Sequence, residues 1–95
     1  MVVHMVSFKY KADTGAAARG DHRAKLNGLR DLDGIVDFKV GEDFIQSPRS
    51  FDTGLVVLFR DRAALDSYAT HPRHVPVAQL GRDLSETIVA VDFDA

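Results

Sequence analysis

Cysteine is absent from the 95-residue chain. That excludes disulfides, thiolate nucleophiles and cysteine-based metal sites, and it is compatible with any compartment. Long apolar runs are absent too. No stretch approaches the roughly 20 residues of a membrane span, and the opening MVVHMVSFKYK lacks the basic start and long apolar run of a secretory signal. Charge of one sign is not in excess: 12 basic residues face 14 acidic ones, a net charge of −2 with a pI of about 6.0. That balance calls for neither nucleic acid nor an anionic membrane as partner. No glycine-rich phosphate loop and no Ser-His-Asp order is visible, so no cofactor is expected. What these absences leave is the expectation of a soluble cytoplasmic protein.

What is present is an ordinary globular composition, 45% hydrophobic and 27% charged. The length makes one domain over residues 1–95 and leaves no room for a second core. A lone domain of this size is near the lower end of comfortable stability, and apolar surface shared with a second copy is a natural remedy.

Residues 2–11 alternate as a strand, with His4, Val6, Phe8 and Tyr10 on one face and Val3, Met5, Ser7 and Lys9 on the other. Asp13 or Thr14 is placed to cap a helix over 16–32, whose stripe is Ala18, His22, Leu26, Leu29 and Leu32. Gly20 and Gly28 weaken that helix by about 1 kcal/mol each relative to alanine. His22 reads as a core-edge histidine. Asp33-Gly34 turns the chain. Ile35–Asp43 is a second strand with Val36, Phe38 and Val40 facing one way, and 44–50 is a polar loop. Phe51–Arg60 is the strongest strand, apolar on both faces in its C-terminal half, as a strand covered on both sides would be. Asp61 caps a helix from Arg62 whose stripe is Ala64, Leu65, Tyr68 and Ala69, and His71-Pro72 stops it. A short helix follows from about Val75, with Val77, Leu80 and Leu84 on one face. Thr87–Phe93 is the last strand, in which Asp92 shares a face with Ile88 and Ala90.

Strand, helix, strand, strand, helix, strand is the order of an α+β, ferredoxin-like split βαβ fold: one four-stranded antiparallel sheet with helices on one face. The first three strands carry apolar side chains on both faces. The helix-free face therefore needs a cover, and a second copy of the sheet is the simplest, giving a homodimer.

One stretch concentrates chemistry. YATHPRHV, from Tyr68 to Val75, holds a phenol, two imidazoles and a guanidinium at a helix end. If the helix continued, His71 and His74 would share a face with Tyr68; Pro72 opposes that. A neutral imidazole accepts a proton and a phenol donates to a developing oxyanion, a pairing suited to deprotonation beside a carbonyl or aldol-type ring closure. The structural alternative is equally concrete: a His-Pro helix stop and a core tyrosine with a wet hydroxyl. The spacing His71-x-x-His74 with Asp92 falls short of a zinc ligand set, and no metal is expected.

Tyr68-x-x-His71-Pro72-x-His74, with His4 on the opening strand, the FDTGLVVLF segment and the closing VDF, resembles the stress-responsive dimeric α/β-barrel (Dabb) family over nearly the whole chain. The resemblance implies homodimers in which two sheets pack into one barrel. It also implies, from polyketide cyclases in the family, a general base at His74, a carbonyl-orienting phenol at Tyr68 and a pocket histidine at His4.

Two functions from different classes follow. The first is a non-catalytic dimeric barrel that binds a small hydrophobic ligand in a cavity between sheet and helices; it asks for less. The second is a cofactor-free, cyclase-like lyase acting on a β-keto ligand through His74, Tyr68 and His4. Residues expected to touch a ligand are His4, His71, Tyr68 and Asp92. A polar cavity lined by His4, Tyr68 and His74 would favour the second function, and a collapsed apolar interior the first.

Overall fold

Strand-forming residues alternate through Val2–Tyr10, and in the computed structural model, which describes residues 1–95, they form β1. The elements that follow are α1 (Ala16–Asn27), β2 (Ile35–Glu42), β3 (Thr53–Phe59), α2 (Arg62–Ala69), α3 (His74–Leu84) and β4 (Ser85–Asp94). The strands lie in the order β2-β3-β1-β4, every neighbouring pair antiparallel. This is the expected ferredoxin-like α+β sheet, with its helices on one face.

The core lies between that face and the helices. Val2, Phe8 and Tyr10 of β1, Phe38 of β2, and Leu55, Val57 and Phe59 of β3 pack against Leu26 of α1 and Ala64 and Tyr68 of α2. Each large apolar side chain buried this way contributes about 1.5–3 kcal/mol. Asp61 caps α2 as its position predicts, its carboxylate accepting from the Ala64 N–H at 2.8 Å.

Several boundaries differ from expectation, each for a local reason. α1 ends at Asn27, and Leu29 and Leu32 reach the core from the turns beyond it. Its N-cap is Gly15, with no side-chain cap; the Thr14 hydroxyl donates instead to the Leu84 carbonyl at 2.9 Å, tying the start of α1 to the end of α3. β2 carries a bulge between Ile35 and Asp37, which sets Ile35 and Phe38 inward and turns Val36 out to solvent. Asp52 lies before β3 but is buried, accepting from the Tyr10 N–H at 2.9 Å.

His22 sits deeper than a core-edge reading implies: it is fully buried, with Nδ1 2.7 Å from the Tyr10 hydroxyl, itself 2.9 Å from Thr53 Oγ1. Gly81 of α3 lies directly over it. A Cβ there would stand 3.1 Å from both His22 Nε2 and Phe8 Cε1, a tight contact that glycine avoids.

Burial holds the His22 pKa below 6.5, and the Arg23 charge adds to that. A histidine kept neutral by the fold contributes fully above its unfolded pKa of about 6.5, and that contribution is lost as pH falls from there towards the lowered folded value. Thermal denaturation of wild type and His22→Met at pH 7.5 and pH 5 checks this. The variant is expected to lose about 1 kcal/mol at pH 7.5 with the hydrogen bond, and to lose less Tm than wild type on acidification.

Candidate functional site

The site begins with strand register. In the antiparallel pairing, His4 of β1 stands opposite Val57 of β3 and Asp92 of β4. Alternation turns His4 towards the helices, and Asp92 beside it accepts a hydrogen bond from Nδ1. A carboxylate only accepts, so Nδ1 carries the proton and Nε2 is the nitrogen left for the interior.

α2 supplies Tyr68 near its C-terminal end. The ring packs 5.1 Å from that of Phe59, 6.2 Å from His4 and 4.3 Å from His74, centroid to centroid. Its hydroxyl is buried and has no partner in the protein. Burial pushes the phenol pKa up to about 12, so the group stays a neutral donor at physiological pH.

His74 opens α3, one residue earlier than the hydrophobic pattern placed the helix start. Its Nδ1 lies 3.0 Å from the Ala69 carbonyl. A carbonyl accepts, so Nδ1 donates and Nε2 presents a lone pair. Burial lowers the His74 pKa from 6.5; the Ala69 hydrogen bond opposes that, and the charges of His4, Arg82 and His71 reinforce it. At neutral pH the imidazole is uncharged and able to take a proton.

These three side chains line one cavity of about 220 Å³ between sheet and helices. Nine of its twelve lining residues are hydrophobic, among them Val6, Leu55, Val77 and Ile88. The arrangement offers a base at His74, a hydroxyl donor at Tyr68 and a second, carboxylate-held imidazole at His4.

The other expected ligand contacts fall elsewhere. His71 lies in the turn between α2 and α3, its Nδ1 accepting from the Arg73 N–H at 3.0 Å. It lines a separate cleft of about 180 Å³ with Arg60, Ser67 and Tyr68, so the Tyr68 ring walls that cleft from the cavity. Breaking the helix at Pro72 sends the two imidazoles apart. Asp92 holds His4 but does not line the cavity; it opens onto a groove with Arg62 and Asp94. Arg82 was not anticipated, yet it lines the cavity. Its signal in the sequence is the four-residue spacing His74, Ala78, Arg82 along one face of α3.

Residues 2–95 match the model of a family described as the Stress responsive A/B Barrel Domain. No curated protein matches the chain. Solved structures do. A dimeric ferredoxin-like protein of unknown function from Thermobifida fusca superposes with a TM-score of 0.91 at 17% identity, covering 99% of this chain and 90% of that one. One with the same description from Jannaschia gives 0.82 at 28% identity, covering 99% and 98%. The hydroxynitrile lyase from Passiflora edulis gives 0.85 at 20% identity, covering 97% and 90%.

The unpartnered Tyr68 hydroxyl makes a clear stability prediction. Leaving a buried donor unsatisfied costs about 1–3 kcal/mol, so Tyr68→Phe is expected to keep or raise Tm, by up to several degrees in a domain this small. Differential scanning calorimetry without ligand decides it; a lowered Tm would mean that the hydroxyl has a protein partner in solution.

Proposed function

The chain belongs to the stress responsive A/B barrel domain family, and we propose that within it this protein is a cofactor-free, cyclase-like lyase that moves protons on a small carbonyl compound. The observation that carries this is the convergence of His74, Tyr68 and His4 on one cavity, with a buried hydroxyl that nothing in the protein satisfies. The interior is neither collapsed nor polar: nine of the twelve lining residues are hydrophobic, which would also suit a small hydrophobic ligand. The cavity nevertheless places a base and an oxyanion donor side by side.

The roles follow from the hydrogen bonds. The substrate carbonyl oxygen accepts from the Tyr68 hydroxyl, which stabilises the enolate oxygen as charge develops. His74 Nε2 takes the proton from the adjacent carbon, and the Ala69 carbonyl holds the imidazolium that results. His4, oriented by Asp92, is the second proton carrier, for a leaving group or a ring-closing oxygen. At about 220 Å³ the cavity is smaller than the roughly 300–1,000 Å³ of drug-sized sites, so the substrate is small. The hydroxynitrile lyase of this fold places lyase chemistry within the fold's range, which fold analogy alone does not extend to this chain.

The test is solvent deuterium exchange at carbons next to the carbonyl, across a panel of small ketones and β-keto thioesters. Wild type is expected to exchange at least one, His74→Ala to lose about 10²–10⁴-fold, and the acid limb of the rate to lie below pH 6.5, because the neutral form of His74 is the active one. No exchange by wild type on any member would overturn the enzyme reading and leave a binding protein.

Assembly belongs to the same proposal, with a cytoplasmic, stress-linked role. The helix-free sheet face exposes Met5, Val56, Val89, Val91 and Phe93, a contiguous apolar surface of the kind that marks an interaction site. The dimeric proteins of this fold support a second copy as its cover. Val57 and Phe38, in contrast, face the helices. Light scattering at micromolar concentration is expected to give a dimer for wild type and a monomer with intact helical circular dichroism for Val91→Lys. A stable wild-type monomer would rule the dimer out.

A further inference from the structure

No carboxylate lines the cavity, and its one permanent charge is the guanidinium of Arg82. Asp92 is committed to His4 and faces a different groove. Arg82 takes part in no ion pair of the chain. Its one side-chain hydrogen bond runs to a neutral acceptor, Gln79 Oε1, at 3.1 Å. Gln79 is itself fixed from the other end, its amide donating to Asp83 at 2.8 Å. The guanidinium is thus held by a neutral group, and its remaining donors are open to solvent or to a ligand.

Its place on α3 gives the site a direction. His74 and Arg82 are eight residues apart on the same helix, about 12 Å along the axis. Arg82 is exposed on α3 and borders the cavity with the apolar side chains, near enough for its charge to reinforce the lowered pKa of His74. A cation at the margin of an apolar cavity recognises an anion, and the planar fork of arginine suits a carboxylate.

We propose that Arg82 is the specificity-determining residue of this cavity and that its ligand is a small oxo acid, with the ketone at His74 and Tyr68 and the carboxylate against the guanidinium. This names the substrate class of the proposed function and rests on the cavity being a ligand site. An oxo acid gains the charge-assisted hydrogen bond, whereas a neutral analogue of the same shape leaves the arginine facing an amide. A charged hydrogen bond of this kind corresponds to a preference of roughly tenfold or more.

The experiment is isothermal titration calorimetry of the full chain with 6-oxoheptanoate and its neutral isostere 6-oxoheptanamide, on wild type, Arg82→Gln and Arg82→Lys. Wild type is expected to hold the carboxylate about tenfold more tightly than the amide. Arg82→Gln is expected to hold both alike, with the amide unchanged, and Arg82→Lys to retain part of the preference. Equal binding of both ligands by wild type, binding of neither, or a preference that survives in Arg82→Gln would overturn the assignment. His74→Ala separates this from the catalytic reading: it is expected to slow deuterium exchange about 10²–10⁴-fold while leaving the ratio of carboxylate to amide affinity intact. An Arg82-dependent preference in a protein that exchanges nothing would sink catalysis and keep the oxo acid as ligand.

Discussion

The register of β1 against β4 is the constraint on which the site depends. Side chains of a strand alternate between faces, so a one-residue slip would carry His4 from the helix side to the open side and remove it from the cavity. What holds the register is the burial of Val2, Phe8 and Tyr10 on the same face. The same pairing sets Asp92 across from His4. An imidazole on an apolar face needs a hydrogen-bond partner, and here the sheet provides one from the neighbouring strand. Core packing and site geometry are in this sense one property of β1.

Pro72 does the corresponding work on the helical side. A continuous helix would have stacked Tyr68, His71 and His74 on one surface. The break lets the chain turn between Ala69 and His74, so the His74 ring lies against Tyr68 at 4.3 Å while its Nδ1 reaches back to the Ala69 carbonyl. The bond satisfies a C-terminal carbonyl of α2 that would otherwise lack a helical partner. It also fixes the imidazole's tautomer. One backbone break therefore ends a helix, begins another and orients the base.

How much of this was readable from the residues depends on whether a neighbour in sequence or a neighbour in space decided it. Strand alternation, the Asp61 cap and the four-stranded order are local, and periodicity reveals them. His4, Tyr68 and His74 could be named as candidates from their residue types and the family resemblance. Val36 turned outwards because a bulge, which leaves no mark on the alternation, shifted it by one. Thr14 found the Leu84 carbonyl, seventy residues away, in place of its own helix. His71 left the site because the path of the turn, more than the spacing, decides where an imidazole faces. Arg82 is exposed, as a charged residue on a helix ordinarily is, and only the sheet packed beside α3 makes it border a cavity as well.

His22, fully buried, and His74, half-buried, show why perturbed acidity alone does not locate a site. Burial lowers the pKa of both His22 and His74, and each has one nitrogen engaged by the protein. They differ in what the other nitrogen meets. Around His22 the space is closed: Gly81 presses so near that even a methyl group would stand 3.1 Å from Nε2. Nothing can approach, and the ring serves as a polar tie between α1, β1 and β3. His74 Nε2 belongs to a side chain that borders about 220 Å³ of cavity, next to a hydroxyl with no other partner. A neutral imidazole becomes a base only where a proton donor can reach it. The same physical shift thus marks structure in one residue and chemistry in the other, and cavity geometry separates them.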